Sequence, residues 1–271
     1  MLSGAQTSSK APSGGGEGGS VLGVIPARLA STRLPRKPLA PVAGRPLIEW
    51  VWQRMRALDV LDGLVVAADD PEIVRVVEGF GGLAVMTLAD HASGTERVAE
   101  VAERPEYREF DWIVNLQGDE PFLPVGAAET AITLVKTGWD IGTAAVPVTT
   151  ADEWEDPSTV KVVVDDAGGA LYFSRAPIPH DRVGSAQFGE AGQAMPLRHV
   201  GIYSFRRAAL RRATALPAHP LERREGLEQL RWLSAGLRIG VGVVEGGGPG
   251  IDTEADLARA EEILRGREGS T

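Results

Sequence analysis

A cationic segment directly after the first apolar run is the clearest chemical feature of the sequence. Residues 26–38 read PARLASTRLPRKP and supply four cations within ten positions: Arg28, Arg33, Arg36 and Lys37. A triphosphate needs fixed cations for its charge and amide or hydroxyl donors for its non-bridging oxygens. The spacing fits neither a P-loop nor the dinucleotide fingerprint GxGxxG. The segment therefore predicts a triphosphate site of another kind, with a solvated basic loop as the alternative.

Two acidic segments could hold a metal ion beside such a site. Asp119 lies in NLQGDEP, after the apolar run 112–116, and Asp252 lies in GIDTEADL, where the last predicted helix begins. Mg²⁺ is commonly held by one or two carboxylates together with substrate phosphates. Each residue has a simpler interpretation on its own, Asp119 as a turn residue and Asp252 as a complement to the helix dipole. Taken together, they predict a paired carboxylate site.

Polar side chains suited to a polyhydroxylated acid follow in the second half of the chain: Arg175, His199, Tyr203, Glu228 and Gln229. His199 and Tyr203 occupy alternate positions of one predicted strand, so they share a face of the sheet. The residue types alone favour a core histidine at 199 and a solvated helix face at 228. A smaller group, Ser93-Gly94-Thr95, precedes a predicted helix and can either contact a nucleotide base or cap the helix.

The elements that must position these residues alternate along the first half of the chain. Apolar runs and helix-period segments predict strands at 21–26, 64–68, 83–86, 112–116 and 142–148 and helices at 46–58, 71–80, 94–103 and 124–137. This alternation is typical of βαβ units and a mostly parallel sheet. Ligands of such sheets bind beyond the carboxyl ends of the strands, where the cationic segment and Asp119 both fall.

The pattern changes after residue 150. Runs at 160–164 and 170–173 flank the turn DDAGG, which predicts a hairpin. A strand at 199–205, a helix at 221–235, a strand at 237–244 and a helix at 253–265 follow, the last with a capping box of Thr253 and Asp256. We therefore expect an antiparallel insertion in one domain of residues 21–271, preceded by a disordered Gly/Ser-rich tail at 1–20.

Composition excludes several classes of protein. The 271 residues carry a net charge of −9, which argues against a nucleic-acid-binding surface. The absence of cysteine excludes disulfides, thiolate nucleophiles and Cys-ligated zinc. No apolar run approaches the roughly 20 residues that span a bilayer, and the tail lacks the apolar stretch of a secretory signal. We expect a cytoplasmic protein with no membrane partner.

Seven stretches, in this order, resemble the CMP-Kdo synthetases (3-deoxy-manno-octulosonate cytidylyltransferases): PARLASTRLPRKPL, ADHASGTER, NLQGDEPF, ALYFSRAPIP, RHVGIYSFRR, LEQLRWL and GIDTEADL. The similarity covers residues 21–266. It implies a Rossmann-like α/β nucleotidyltransferase domain that forms a homodimer through the antiparallel insertion. It also implies transfer of CMP from CTP to the anomeric hydroxyl of 3-deoxy-manno-octulosonate (Kdo), with release of pyrophosphate, for lipopolysaccharide-type sugar activation.

The resemblance assigns roles residue by residue. Catalysis would depend on Arg28, Lys37, Asp119 and Asp252, the last two as ligands of Mg²⁺. The nucleotide would contact Ala27, Arg28, Lys37, Ser93, Gly94, Thr95 and Gln117. The sugar acid would contact Arg175, His199, Tyr203, Glu228 and Gln229, which replaces the simpler interpretations of His199 and Glu228.

Departures from the family pattern leave the acceptor acid open. Ala68-Asp69 stands where Thr-Asp is common, and Pro177 and His180 alter the stretch after Arg175; we expect these changes on the acceptor side. The same CTP chemistry on amino-Kdo, or on a small phosphonate such as phosphonoformate, is the alternative. A UTP- or GTP-dependent enzyme would need a Gly-rich GxGT/S start after the first strand, which is absent here. A non-catalytic nucleotide sensor would lack one metal carboxylate, whereas both are present.

Overall fold

The computed structural model describes residues 19–31, 34–124, 126–182, 188, 196–248, 250–251 and 253–268. The strands in these ranges are β1 (Val21–Ala27), β2 (Pro41–Val42), β3 (Arg45–Pro46), β4 (Gly63–Ala68), β5 (Ala84–Met86), β6 (Trp112–Leu116), β7 (Ile141–Pro147), β8 (Lys161–Val164), β9 (Ala170–Ser174), β10 (Leu197–Arg206) and β11 (Ile239–Val243). The helices are α1 (Leu47–Arg56), α2 (Pro71–Gly79), α3 (Gly94–Glu103), α4 (Ala127–Lys136), α5 (Ala151–Glu155), α6 (Arg207–Ala215), α7 (Pro220–Glu225), α8 (Gln229–Ser234) and α9 (Glu254–Glu268). No helix in these ranges is both long and apolar enough to cross a lipid bilayer.

One large sheet has the strand order β11-β7-β10-β6-β1-β4-β5. The pairs β1–β4, β1–β6, β4–β5 and β7–β11 are parallel, whereas β10 runs antiparallel between β6 and β7. The hairpin β8–β9 pairs with the beginning of β10. The predicted α/β class, a mostly parallel sheet with an antiparallel insertion, is confirmed.

Apolar cores cover both faces of the sheet. Val21 and Ile25 of β1 belong to the core under α1, α2, α4 and α9, and Leu22 and Val24 belong to the core under α3, α6 and α8. A strand that is buried on both faces needs apolar residues at nearly every position, which explains the continuous run VLGVI. Polar residues therefore collect at the strand ends.

Two local predictions are confirmed. The DDAGG turn closes the β8–β9 hairpin, with the Asp165 amide donating to the Gly169 carbonyl at 2.8 Å. At the start of α9, the Asp256 amide donates to Thr253 Oγ1 at 3.2 Å, while the Thr253 amide donates to Asp256 Oδ2 at 2.8 Å. These two reciprocal bonds between Thr253 and Asp256 form the predicted capping box.

The single helix predicted at 221–235 is wrong. Gly226 adopts a left-handed conformation (φ 65°) and donates to the Glu222 carbonyl at 2.7 Å, which ends α7. Glu228 then takes the N-cap position of the separate helix α8 instead of a position inside a long helix. Sequence analysis also missed α6, which follows β10 directly.

Close packing of α4 on the sheet predicts a large loss of stability when Gly142 is replaced. A Cβ at this position of β7 would lie 2.0 Å from the Ala131 carbonyl oxygen of α4. We expect Gly142→Ala to lower the free energy of unfolding by about 3 kcal/mol, because backbone cannot move aside cheaply. Gly79→Ala, at a helical position with no atom within 4 Å, is the control and should be neutral or slightly stabilising. Urea denaturation measures both, and equal midpoints for the two variants would contradict this packing argument.

Candidate nucleotide and acceptor site

A cavity opens at the carboxyl ends of β1 and β6. Its lining consists of Pro26, Ala27, Arg28, Ser31, Lys37, Pro38, His91, Ser93, Gly94, Arg97, Gln117, Gly118 and Asp119. The structure thus brings the cationic segment, the Ser93-Gly94 turn and the Asp119 turn together, as the parallel strand order requires. Their roles stay predictions, while their convergence is a feature of the molecule.

Lys37 and Asp119 form the central ion pair of this cavity. Lys37 begins a short 3-10 turn, and its Nζ lies 2.5 Å from Asp119 Oδ2. The Lys37 side chain is 12% exposed and that of Asp119 is 33% exposed, so the carboxylate faces the cavity more openly. Arg36 instead pairs with Glu72 of α2 at 2.6 Å. Arg33 lies outside the described residues.

Two further residues, Asp69 and Arg97, lie next to the cationic segment. Asp69 Oδ1, after β4, accepts from the Leu29 amide at 3.1 Å. Arg97, 2% exposed, donates to Thr87 Oγ1 and to the Leu88 carbonyl and lies 4.0 Å from Asp69. The structure thus places Asp69 beside the loop that carries Arg28, while the assignment of Ala68-Asp69 to the acceptor side stays a prediction.

The Ser93-Gly94-Thr95 turn is joined to Glu228. Ser93 Oγ donates to Glu228 Oε1 at 2.9 Å, and Thr95 Oγ1 donates to Oε2 at 2.6 Å. Arg231 Nη2 donates to the same carboxylate at 2.6 Å. Burial raises the pKa of Glu228 while the two hydroxyl donors oppose that rise. Ser93 also caps α3 through the Glu96 amide, so both alternatives weighed for this turn remain compatible with the structure.

An aromatic cluster surrounds His199. Its ring centroid lies 5.2 Å from that of Tyr203 and 5.2 Å from that of Phe173. His199 and Tyr203 do share one face of β10, as the alternation predicts. Trp232 of α8 packs edge-on against Tyr203 at 5.1 Å. Burial raises the pKa of Tyr203 well above its ordinary value, with the charges of Glu228 and Glu120 adding to the rise, so its hydroxyl stays protonated.

The protonation of His199 follows from its contact with Thr143. Thr143 Oγ1 lies 2.9 Å from His199 Nε2 and donates its hydrogen to the Ile202 carbonyl at 2.6 Å. Nε2 must then carry the imidazole proton, which leaves Nδ1 as an acceptor. Burial, with a contribution from the Arg198 charge, lowers the pKa of His199 to about 3. The imidazole is therefore neutral at physiological pH.

That depressed pKa predicts a pH-dependent cost in stability. Below pH 6.5 the unfolded chain binds a proton at His199, whereas the folded chain binds one only as the pH approaches the folded-state pKa of about 3. Stability is therefore lost as the pH falls through this window. Between pH 7 and pH 5 the wild type should lose about 2 kcal/mol more than His199→Gln. Unfolding free energies at the two pH values measure this difference, and parallel losses in both proteins would contradict it.

Glu120 is a further acidic residue that sequence analysis did not single out. Its Oε1 accepts from the Gly201 amide of β10 at 3.0 Å. Loss of hydration, then the neighbouring charge of Asp119, raises the pKa of Glu120 to about 7. The adjacent acidic pair in NLQGDEP was the available sequence signal.

None of the five predicted acceptor residues is among the residues that line the cavity. Arg175 donates from Nε to the Glu225 carbonyl at 2.8 Å and from Nη1 to the Pro157 carbonyl at 2.9 Å. Its guanidinium thus ties the end of β9 to α7. Gln229 is 5% exposed at the start of α8. The structure places both on the elements around the aromatic cluster, without a described contact to His199.

Asp252, the second predicted metal ligand, lies outside the described residues. Its sequence neighbour Ile251 donates from its amide to the Asp119 carbonyl at 2.9 Å. Within the described ranges, no group of three or more His, Cys, Asp or Glu residues could hold a metal ion. Among the described residues that line the cavity, Asp119 is the one that offers a carboxylate to a cation.

The fold and the cavity define a nucleotidyltransferase, and a family model described as cytidylyltransferase matches residues 22–239. A 3-deoxy-manno-octulosonate cytidylyltransferase of Gemmatimonas aurantiaca is 51% identical over 243 residues, covering 89% of this chain and 92% of the relative. Its counterpart in Syntrophotalea carbinolica is 45% identical over 252 residues, covering 91% and 99%. This chain belongs to the 3-deoxy-manno-octulosonate cytidylyltransferase family.

A solved structure agrees with this assignment. CMP:2-keto-3-deoxy-manno-octonic acid synthetase, solved in complex with CTP, superposes with a TM-score of 0.82 at 40% identity, covering 92% of this chain and 99% of that one. The predicted family and the predicted fold class are both confirmed.

Proposed function

We propose that this chain transfers CMP from CTP to the anomeric hydroxyl of Kdo and releases pyrophosphate. Relatives named for this reaction match nearly the whole folded chain. The observation that carries the proposal is the ion pair in the cavity, where Lys37 Nζ lies 2.5 Å from Asp119 Oδ2. A cation for phosphate oxygens and a carboxylate for a metal ion stand side by side at the carboxyl ends of parallel strands.

The nucleotide side positions the triphosphate and stabilises its charge. Transfer at a phosphorus atom leaves the protein mainly positioning and electrostatic work. Arg28 and Lys37 would bind the phosphates and stabilise the negative charge that builds on pyrophosphate as it leaves. The bond from the Leu29 amide to Asp69 fixes the loop next to Arg28. Gln117 and the Ser93-Gly94-Thr95 turn would lie near the cytosine.

We further propose that the enzyme requires Mg²⁺, held by Asp119 and Asp252. Carboxylate oxygens are the ligands that this hard cation takes, and the one-third-exposed Asp119 side chain opens into the cavity. The amide of Ile251 is bonded to the Asp119 carbonyl, which supports Asp252 as the second ligand. When bound, Mg²⁺ would neutralise phosphate charge and lower the pKa of the acceptor hydroxyl.

The acceptor side offers matched donors and acceptors for a sugar acid. The Tyr203 hydroxyl is buried and has no hydrogen-bond partner among the described residues, so it can donate to the substrate. Nδ1 of His199 is left as an acceptor for a sugar hydroxyl. Glu228 and Gln229 would accept and donate further bonds, while the positive charge of Arg175 would attract the acid carboxylate.

Amino-Kdo and small phosphonates are not favoured as acceptors. The curated relatives of this chain are named for 3-deoxy-manno-octulosonate, and the family match over residues 22–239 includes all five predicted acceptor residues. The family pattern therefore extends to the acceptor half of the molecule.

We also propose that the chain works as a cytoplasmic homodimer whose product serves lipopolysaccharide-type sugar activation. The resemblance in sequence supports both statements. The β8–β9 hairpin exposes Leu171, 61% of which is accessible, and an apolar side chain at that position suits a subunit contact. Light scattering after gel filtration measures the oligomeric state, and a monomer at micromolar concentration would contradict the dimer.

The reaction is tested with the purified full chain. Pyrophosphate release and CMP-Kdo formation are measured with CTP, Mg²⁺ and Kdo, and then with amino-Kdo and phosphonoformate in place of Kdo. UTP, GTP and ATP serve as nucleotide controls, and a chelator replaces Mg²⁺ in one arm. We expect turnover with CTP and Kdo that stops with the chelator. A higher kcat/KM with another acid would replace the proposed acceptor, and full turnover without divalent ions would contradict the metal requirement.

A further inference from the structure

The Glu120 carboxylate occupies the space that Gly201 leaves by having no side chain. Glu120 Oε1 accepts from the Gly201 amide at 3.0 Å. A Cβ built on Gly201 would lie 2.3 Å from that same oxygen, closer than real Cβ contacts come. Gly201 and Glu120 therefore fit each other, and any larger residue at 201 would push the carboxylate away.

The contact joins the two halves of the site. Glu120 follows Asp119 directly in the turn after β6, and the Asp119 carbonyl is bonded to the Ile251 amide. Gly201 lies on β10 between His199 and Tyr203, where the pairing of β10 with β7 shifts register between Val200 and Tyr203. A side chain that begins beside the proposed metal ligand thus ends on the strand of the proposed acceptor site.

We propose that Glu120 is a positioning residue that sets the acceptor strand β10 against the Asp119 turn through its bond to Gly201. This inference rests on the proposed function, because it concerns the distance between the acceptor hydroxyl and the α-phosphorus. The irregular stretch of β10 lacks regular pairing with β7 at residues 201 and 202, and its pairing with β6 begins only at Ile202, so the Gly201 amide donates to Glu120 instead of to a neighbouring strand. Reacting groups must lie within about 3–3.5 Å of each other, and a displacement near 1 Å costs about 10²-fold in rate.

The role predicts a separation between catalysis and nucleotide binding. With Glu120→Ala we expect kcat to fall about 30-fold and KM for Kdo to rise, because the acceptor strand loses its attachment. The dissociation constant for CTP should change by less than about threefold, since the cationic segment is untouched. Glu120→Gln should recover most of kcat, because the amide oxygen can accept from Gly201. Asp62→Ala is the matched control: it removes a carboxylate bond to the Val21 amide (2.8 Å), at the start of β1, and should leave kcat unchanged.

A double-mutant cycle tests the contact itself. Gly201→Ala should reproduce the loss seen with Glu120→Ala, because the added methyl group displaces the carboxylate. In the Glu120→Ala background the same substitution should cost little more, since the next atom it meets is the flexible Gln117 Cγ at 3.2 Å. Strong non-additivity of this kind is the mark of two residues that act through one contact.

The outcomes separate this inference from the proposed function. If the wild type forms no CMP-Kdo, the proposed reaction has failed and the inference falls with it. If the wild type is active and Glu120→Ala matches it, only the positioning role is overturned. The role is also overturned if Glu120→Gln is as slow as Glu120→Ala, if CTP affinity falls in parallel with kcat, or if the two losses in the cycle simply add.

Discussion

Asparagine in place of Asp119 is expected to lower kcat by about 10³-fold while the fold is kept. The amide retains the size of the side chain but loses its charge, so it can neither serve as an anionic metal ligand nor pair with Lys37 at 2.5 Å. Asp119 lies in the turn after β6 with 33% of its side chain exposed, so the substitution removes no core packing. The loss should therefore appear in turnover and not in the melting temperature.

Pyrophosphate release at saturating CTP and Kdo measures the effect. Asp252→Asn should behave in the same way, because Asp252 is the proposed second ligand of the same ion. Asp140→Asn is the control, since that carboxylate lies 3.8 Å from the guanidinium of Arg238, is one-third exposed and is not among the described residues that line the cavity. Near-normal turnover in both Asp119→Asn and Asp252→Asn would remove the basis for a metal-dependent mechanism.

The arrangement around β1 and β6 could be predicted from the sequence. Alternating strand and helix patterns imply a parallel sheet, and parallel strands end at one edge, so the cationic segment and Asp119 are expected at the same edge. The 2.5 Å ion pair between Lys37 and Asp119, which are 82 residues apart, was not predicted and is a finding of the structure. The turn signal of the β8–β9 hairpin and the capping signal of α9 depend on neighbouring residues, and both predictions are confirmed.

The acceptor half depended on information that local patterns do not carry. Glu228 reaches Ser93 and Thr95 across more than 130 residues, and no periodicity predicts that contact. The residues alone suggested a solvated helix face at 228, and only the family resemblance indicated otherwise. The two-residue irregularity in β10 likewise depends on its pairing with β7, which a single strand pattern cannot show.

Some of the errors were avoidable. Gly226 interrupts the predicted helix 221–235, and a glycine inside a helical pattern is a known signal for a C-cap. The left-handed φ of 65° is open to glycine at little cost, so two short helices replace one long one. Helix α6 buries Ala209, Leu210 and Ala213, whose spacing in RAALRRATA is helical and was visible in the sequence.

Alanine in place of Lys37 is expected to reduce kcat/KM for CTP by about 10²-fold or more. The substitution removes a fixed cation from the proposed phosphate site. It also removes the ammonium group that lies 2.5 Å from the Asp119 carboxylate in the wild type. Only 12% of the Lys37 side chain is exposed, so bulk salt cannot easily take its place. Both consequences weaken the binding of a triphosphate, and the first also destabilises the departing pyrophosphate.

Lys136→Ala provides the control, because Lys136 lies exposed in the last turn of α4 and carries the same charge. Initial rates over a range of CTP concentrations give kcat/KM for both variants, and equal effects would mean that Lys37 acts only through the net charge of the protein. The double variant Lys37→Ala/Asp119→Asn sharpens the test. If the two residues act on one triphosphate and metal site, the second substitution should cost far less than it does alone, because the first has already dismantled the site.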